Sequence, residues 1–426
     1  MSLISYNPAL GALLDASLDT IATLEGLDPK TIRSGVETGS MVLIGNPNHP
    51  NVRPTLVGRP ATIKVNANIG TSPLLNNTER EMKKLASAEE AGAHTVMDLS
   101  TAGDLDQIRL GMLNQSPLPL GTVPLYSVAK KRTDADCDPT DFEPREFLEE
   151  IESQARQGVD FMTLHVGVTR RAAELAQEAG RVLGIVSRGG SITARWMARR
   201  KEENPLLTHW GEVLEICRAH NVTLSLGDGM RPGAGADAGD AAQWEEVIVL
   251  AEAGRKGREA GCQVMVEGPG HVPMNLVAEH IATMKRLVDN APLYVLGPLV
   301  TDSAPGYDHI TGAIGGSIAA MSGADFLCYV TPAEHLTLPD AADVRAGVMA
   351  SRIAAQAAEV ALGRPEAVAR DREISEARKS LEWDRLAAAA LDPLIVEHRR
   401  EEHKTEKECA MCGKFCAIRM LDNSTM

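Results

Sequence analysis

The sequence predicts an α/β fold: a (β/α)8 barrel with a small N-terminal cap and a helical C-terminal extension. Three observations point there. Short apolar runs alternate with longer helix-like stretches through the middle of the chain. The alternation fits about eight β–α units, the number that closes a parallel barrel. Residues able to do chemistry stand at the carboxy ends of the apolar runs, where such barrels place their sites.

The first run, Ile63–Ile69 (IKVNANI), carries Asn68 near its end. Thr95–Leu99 carries Met97 and Asp98, Leu120–Tyr126 ends on Tyr126, and Phe161–Val166 carries His165. Gly184–Val186 leads into Ser187, Val222–Leu226 into Asp228, and Val264–Val266 into Glu267. Tyr294–Leu296 and Phe326–Val330 complete the series. These runs number one more than a barrel needs, so one is expected to be peripheral. A doubly wound open sheet is the other arrangement for the same alternation. Loops are polar anyway, but that alone accounts poorly for a recurring set of Asn, Asp, His, Glu and Arg. Between the first two runs, Thr78–Ala91 reads as a helix, with Thr78 and Glu81 at capping-box spacing.

Residues 1–58 read as a cap with one or two helices and a Pro/Asn-rich turn (NPNHPNVRP). Residues 59–340 are the barrel. Residues 341–398 form the helical extension, from Ala341–Leu362 and Asp371–Ala390, with Asp392-Pro393 as the stop. Residues 399–426 are a charged linker and a cysteine tail; the charged run Glu397–Glu408 reads as solvated.

Composition narrows the function. Aromatic residues are 3% of the 426, which leaves no stacking platform for nucleic acid. A formal net charge of −15 offers no field for a phosphate backbone or an anionic membrane. No apolar run is long enough to cross a membrane, and MSLISYNPALGALLD lacks the layout of a signal peptide. A cytoplasmic protein is expected. Four of the seven cysteines, Cys137, Cys217, Cys262 and Cys328, are scattered, and three cluster at the end. That is not a secreted disulfide framework.

Cys409-Ala-Met-Cys412-Gly-Lys-Phe-Cys416 can wrap one metal centre. Three thiolates on a [4Fe-4S] cubane leave one iron free to chelate S-adenosylmethionine. A zinc knuckle completed by His403, or an electron-transfer cluster, fits the spacing too. His271, in Glu267-Gly-Pro-Gly-His271, and His335, in Pro332-Ala-Glu-His335, follow two different runs and could share a divalent metal; each alone fits an ordinary hydrogen-bonding role. Ser187-Arg188-Gly189-Gly-Ser and Asp228-Gly229-Met230-Arg231 are Gly-rich turns suited to a phosphate, though such turns are common. Asn68 offers an amide edge to a polar ring, with Met97 and Tyr126 to pack on it; core packing is the plainer role for those two.

These stretches together resemble the phosphomethylpyrimidine synthase family, a non-standard radical S-adenosylmethionine class. The matching segments are KVNANIGTSP, TVMDLST, GTVPLY, IVSRGGS, LSLGDGMRPG, EGPGHVPM, GPLVTDSAPGYDH, CYVTPAEHL, ALDP and CAMCGKFC. The resemblance implies a (β/α)8 homodimer acting on 5-aminoimidazole ribotide. It implies that Asn68, Met97, Tyr126, His165, Ser187, Arg188, Gly189, Asp228, Gly229, Met230, Arg231, Glu267 and Tyr294 hold the substrate. Glu267, His165 and Asp228 are then the candidates for proton chemistry. His271 and His335 match a zinc-like site that anchors S-adenosylmethionine, and Cys409, Cys412 and Cys416 match the cluster ligands. An external electron donor is implied, and the tail of one subunit reaches its partner's site. Many members carry four residues between the second and third cysteines, where this chain has Gly413-Lys414-Phe415. The N-terminal extension of the longer bacterial members is missing. A paralogue makes 5-hydroxybenzimidazole from the same ribotide and shares these motifs.

Cys409→Ala is expected to abolish 5′-deoxyadenosine formation under reducing, anaerobic conditions, read by chromatography. Undiminished formation would contradict the cluster assignment.

Overall fold

The computed structural model describes residues 3–422. Residues 1, 2 and 423–426, at the ends of the expected cap and tail, lie outside them. The chain divides into two compact units, one ending at Ala355 and one beginning at Gln356.

The first unit holds ten strands: β1 (Val42–Ile44), β2 (Thr55–Val57), β3 (Lys64–Ile69), β4 (Thr95–Asp98), β5 (Leu120–Thr122), β6 (Phe161–Leu164), β7 (Thr223–Leu226), β8 (Val264–Gly268), β9 (Leu293–Leu296) and β10 (Phe326–Cys328). Strands β3 to β10 close into a parallel barrel in chain order, with β10 pairing β3. The barrel reading holds and the open sheet does not.

Strand alternation explains the IKVNANI run. Val65, Ala67 and Ile69 pack outward in one apolar cluster with Leu85 and Ala88 of helix Thr78–Glu90. The alternate residues Asn66 and Asn68 face the other way, into the barrel. Asn66 is buried but satisfied: its Nδ2 donates to Asn68 Oδ1 at 2.7 Å and its Oδ1 accepts from Thr95 Oγ1 at 2.6 Å.

The cap is more elaborate than expected. Three helices, Leu3–Tyr6, Pro8–Glu25 and Pro29–Thr38, pack with the antiparallel hairpin β1–β2 around Leu10, Leu14, Ile32, Leu43 and Leu56. Gln263, just before β8, exchanges both amide hydrogen bonds with the backbone of Leu43 at 2.6 and 2.8 Å. Asp160, just before β6, accepts from the amides of Asn46 and Leu120, each at 2.7 Å, and meets His49 Nδ1 at 2.7 Å. These anchors lie at the amino ends of the strands, so the cap closes that end and leaves the other open.

Three local readings change. Gly184–Val186 is not a strand: β6 pairs directly with β7, so no slot remains for it, and it lies in the loop before helix Arg188–Arg200. Thr78 does not cap its helix. Asn77 does, accepting from Arg80 N at 2.9 Å, while Glu81 turns inward to accept Gly70 N–H at 2.8 Å beside buried Lys84. Tyr126 is not on a strand, because Pro124 opens helix Pro124–Asp134. Asp392-Pro393 does follow the end of a helix, Trp383–Ala389, and also opens the next, Pro393–Arg400.

In the second unit, the expected helix Asp371–Ala390 is two, Pro365–Ser380 and Trp383–Ala389, broken where Leu381 turns left-handed. The charged run is exposed, and its first part is helical. No helix among the described residues is long and apolar enough to cross a membrane.

Asp160→Ala strands three buried donors and is expected to cost about 3–5 kcal/mol. Urea unfolding followed by circular dichroism checks this; an unchanged midpoint would contradict the anchor.

Candidate active site

The open mouth of the barrel holds a cleft with about 510 Å³ of empty space, open solvent included. Asn68, Met97, Tyr126, His165, Asp228, Arg231, Glu267 and Tyr294 all line it. Eight of the residues singled out in the sequence thus converge on one space.

Three neighbouring strands set the acidic wall. Glu267, at the end of β8, accepts from Thr163 of β6 and Ser225 of β7, both at 2.6 Å on the same oxygen. Burial pushes its carboxyl above the ordinary range. Asp228, two residues past β7, is also buried, and burial pushes it up to about 8 despite the Arg231 guanidinium 3.0 Å away. Its Oδ2 has no hydrogen-bond partner among the described residues. Under the same turn, Glu246 of helix Ala241–Glu259 accepts Met230 N–H at 2.8 Å and leaves its other oxygen unpartnered. Burial and the Asp228 charge raise Glu246 well above its usual value. Three buried carboxyls share one guanidinium, so they cannot all ionise together at low cost.

The opposite wall is amide, thiol and ring. Asn68 Nδ2 donates to Cys328 Sγ at 3.0 Å, and Tyr329 Oη donates to the Asn68 carbonyl at 2.6 Å. Tyr294 accepts from Asn66 at 2.8 Å and stacks on Phe326 with ring centroids 4.3 Å apart.

His165, just past β6, is held neutral: burial and the Arg231 charge push it down to about 3. Its Nε2 lies 3.2 Å from Ser187 Oγ, and Ser187 caps helix Arg188–Arg200 through Gly190 N–H at 3.1 Å. A Cβ on Gly189 would sit 2.1 Å from the His165 ring, and one on Gly190 would sit 2.4 Å from the Gly229 carbonyl. Glycine at 190 lets the 187–190 and 228–231 turns approach backbone to backbone, and glycine at 189 makes room for the His165 ring. Ser187, Gly189, Gly229 and Met230 stand behind the cavity lining rather than in it. Arg188 lies over the Tyr126 ring, 4.9 Å from its centroid, and lines a second cavity.

That second cavity, with about 820 Å³ of empty space, open solvent included, shares Asn68, Leu99 and Leu296 with the first and carries Glu334 and His335. The rings of His271 and His335 lie 5.3 Å apart. Each Nδ1 faces an aspartate, which leaves Nε2 for a divalent metal, so this pair fits one as two ligands. The rest of the coordination would come from water or a bound molecule. Among the described residues, no three His, Cys, Asp or Glu side chains converge as a metal site. In the second unit Cys409 and Cys412 are exposed, Cys416 is buried, and none is in a disulfide. Three uncommitted thiols in one short loop remain a donor set that suits iron–sulfur.

Several lining residues escaped the sequence reading. Thr163 and Cys328 lie inside runs already marked as strands, and period-two alternation from His165 would have found Thr163. Glu246 gave no such signal, since it sits mid-helix in a segment with ordinary charge.

A family model described as "Radical SAM ThiC family" matches residues 6–423. The chain belongs to that family. It is similar to "Phosphomethylpyrimidine synthase" of Thermoanaerobacter pseudethanolicus, 49% identical over 98% of both chains. The protein of the same name from Dehalococcoides mccartyi is 49% identical over 96% of this chain and 95% of its own. That from Carboxydothermus hydrogenoformans is 48% identical over 96% of both. A full-length match of this kind makes the chain an enzyme of the family and a barrel with a radical S-adenosylmethionine assignment.

Asp228 yields a pH prediction. Unfolded, it loses its proton near 3.8, and folded, near 8. As pH rises between these values the unfolded state releases the proton first, so this group lowers stability across the window and no further above it. Asp228→Asn is therefore expected to raise the urea midpoint over wild type by an amount that grows from pH 5 to 8. A difference independent of pH would contradict the buried, protonated carboxyl.

Proposed function

We propose that the chain converts 5-aminoimidazole ribotide into 4-amino-5-hydroxymethyl-2-methylpyrimidine phosphate, releasing formate, carbon monoxide, 5′-deoxyadenosine and methionine. The observation that carries this reading is the convergence of eight motif residues on one cavity in a chain matched end to end by relatives of that name.

The residues divide the work. Arg231 and the amino end of helix Arg188–Arg200, with Ser187, Gly189 and the 228–230 turn, suit the phosphate, because a guanidinium and oriented amides both favour an anion. Asn68 suits the edge of the imidazole ring, and Met97, Tyr126 and Tyr294 its faces. Asp228, pushed up to about 8, holds its proton near neutrality and can give it, and burial shifts Glu267 in the same direction. Neutral His165 can take one or relay it. A buried site of this kind also keeps water from a reactive species.

Cys409, Cys412 and Cys416 would hold the [4Fe-4S] cluster, which when bound supplies the electron that breaks the C–S bond of S-adenosylmethionine. The second cavity, polar and beside His335, is the place for that cofactor in this reading, with Zn2+ or another divalent metal on His271 and His335 to help anchor it. A homodimer in the cytoplasm, served by an external electron donor, completes the reading.

The test is a product assay. The anaerobically reconstituted chain, given the ribotide, S-adenosylmethionine and a reductant, is expected to yield the pyrimidine phosphate by mass spectrometry. 5-Hydroxybenzimidazole as the product, or turnover without loss of ribotide, would overturn it.

A further inference from the structure

After β9, the connecting segment carries Asp302 and the following helix, Asp308–Ser322, opens on Asp308; neither aspartate lines either cavity. Both face the histidine pair. Asp302 Oδ1 lies 2.7 Å from His271 Nδ1, and Asp308 Oδ1 lies 3.4 Å from His335 Nδ1. An imidazole tied at Nδ1 to a carboxylate is fixed as the Nδ1–H tautomer, with the Nε2 lone pair turned outward. The two rings, 5.3 Å apart and tilted by 49°, are close enough to address one ion.

Asp302 has a second bond. Its Oδ2 accepts Gly235 N–H at 2.8 Å. Gly235 opens the single turn Gly235–Asp237, in the loop that leaves β7 and carries Asp228 and Arg231. Glu246 holds the same loop at Met230. One carboxylate therefore joins His271 to the loop that forms the acidic wall of the cavity.

We propose that Asp302 is a positioning residue for both sites: it orients His271 toward a divalent metal and braces the loop that offers Asp228 and Arg231 to the ribotide. Asp308 does the first of these for His335. The inference rests on the proposed function, which supplies the metal and the ribotide, and goes beyond it by naming the residues that set the geometry. Substitution should separate the two roles. Asparagine at 302 can still accept from His271 with its carbonyl oxygen, but its amino group cannot accept from Gly235. Alanine can do neither. Asp302 is 46% exposed on its side chain, so the fold should survive either change.

The experiment uses the full chain with its cluster reconstituted. Co2+ titration follows the visible absorption, with H271A and H335A defining the part that belongs to the histidine pair, and calorimetry measures ribotide binding. D302A is expected to weaken Co2+ about 10–100-fold, the usual effect of removing a carboxylate behind a metal-bound histidine. D302N should lose less Co2+ affinity than D302A, yet lose ribotide affinity as D302A does. D308A should weaken Co2+ and leave ribotide binding unchanged. Wild-type affinities in D302A for either ligand would overturn the dual role. A wild-type chain without an H271A-sensitive Co2+ signal would instead overturn the metal reading underneath, before any aspartate variant is compared.

Discussion

Eight strands running in one direction around a closed barrel can present their carboxy ends only on one side. The chemistry depends on that constraint. Residues separated by long stretches of sequence, Asn68 and Cys328 among them, become hydrogen-bonded neighbours because β10 pairs with β3. The cap reinforces the same polarity. Its contacts to Asp160 and Gln263 seal the amino end, so the other end is left for ligands.

The mouth concentrates charge that burial then suppresses. Asp228, Glu246 and Glu267 all sit where desolvation favours the protonated form, with Arg231 as their shared cation. Such an arrangement is costly for an empty protein and useful for an enzyme. It shifts these acids toward the protonated form, Asp228 as far as about 8, and leaves polar atoms, such as Asp228 Oδ2, ready for a partner. Gly190 serves the same end by letting two turns meet backbone to backbone, and Gly189 by leaving room for the His165 ring.

Much of this was legible in the sequence, for a physical reason. Strand runs end where their chemistry begins, so Asn68, His165, Asp228 and Glu267 could be picked out before any coordinates. What failed was local. Gly184–Val186 has strand composition, but strand slots are set by pairing partners, which composition does not reveal. Thr78 has the right spacing for a cap, yet Asn77 is the better competitor and Glu81 is drawn inward by Gly70 and Lys84. Glu246 was invisible because an acid in mid-helix looks like a surface residue until the helix is placed. Thr163 and Ser225 were passed over because small polar residues within a strand read as core.

The central claim is that the barrel mouth is a single ribotide site built from these strand ends. A crystal structure of the chain with 5-aminoimidazole ribotide tests it most directly. The account predicts the ring between Asn68 and Tyr126, and the phosphate against Arg231 and the 187–190 turn. Ribotide density elsewhere, with the mouth filled only by solvent, would contradict it.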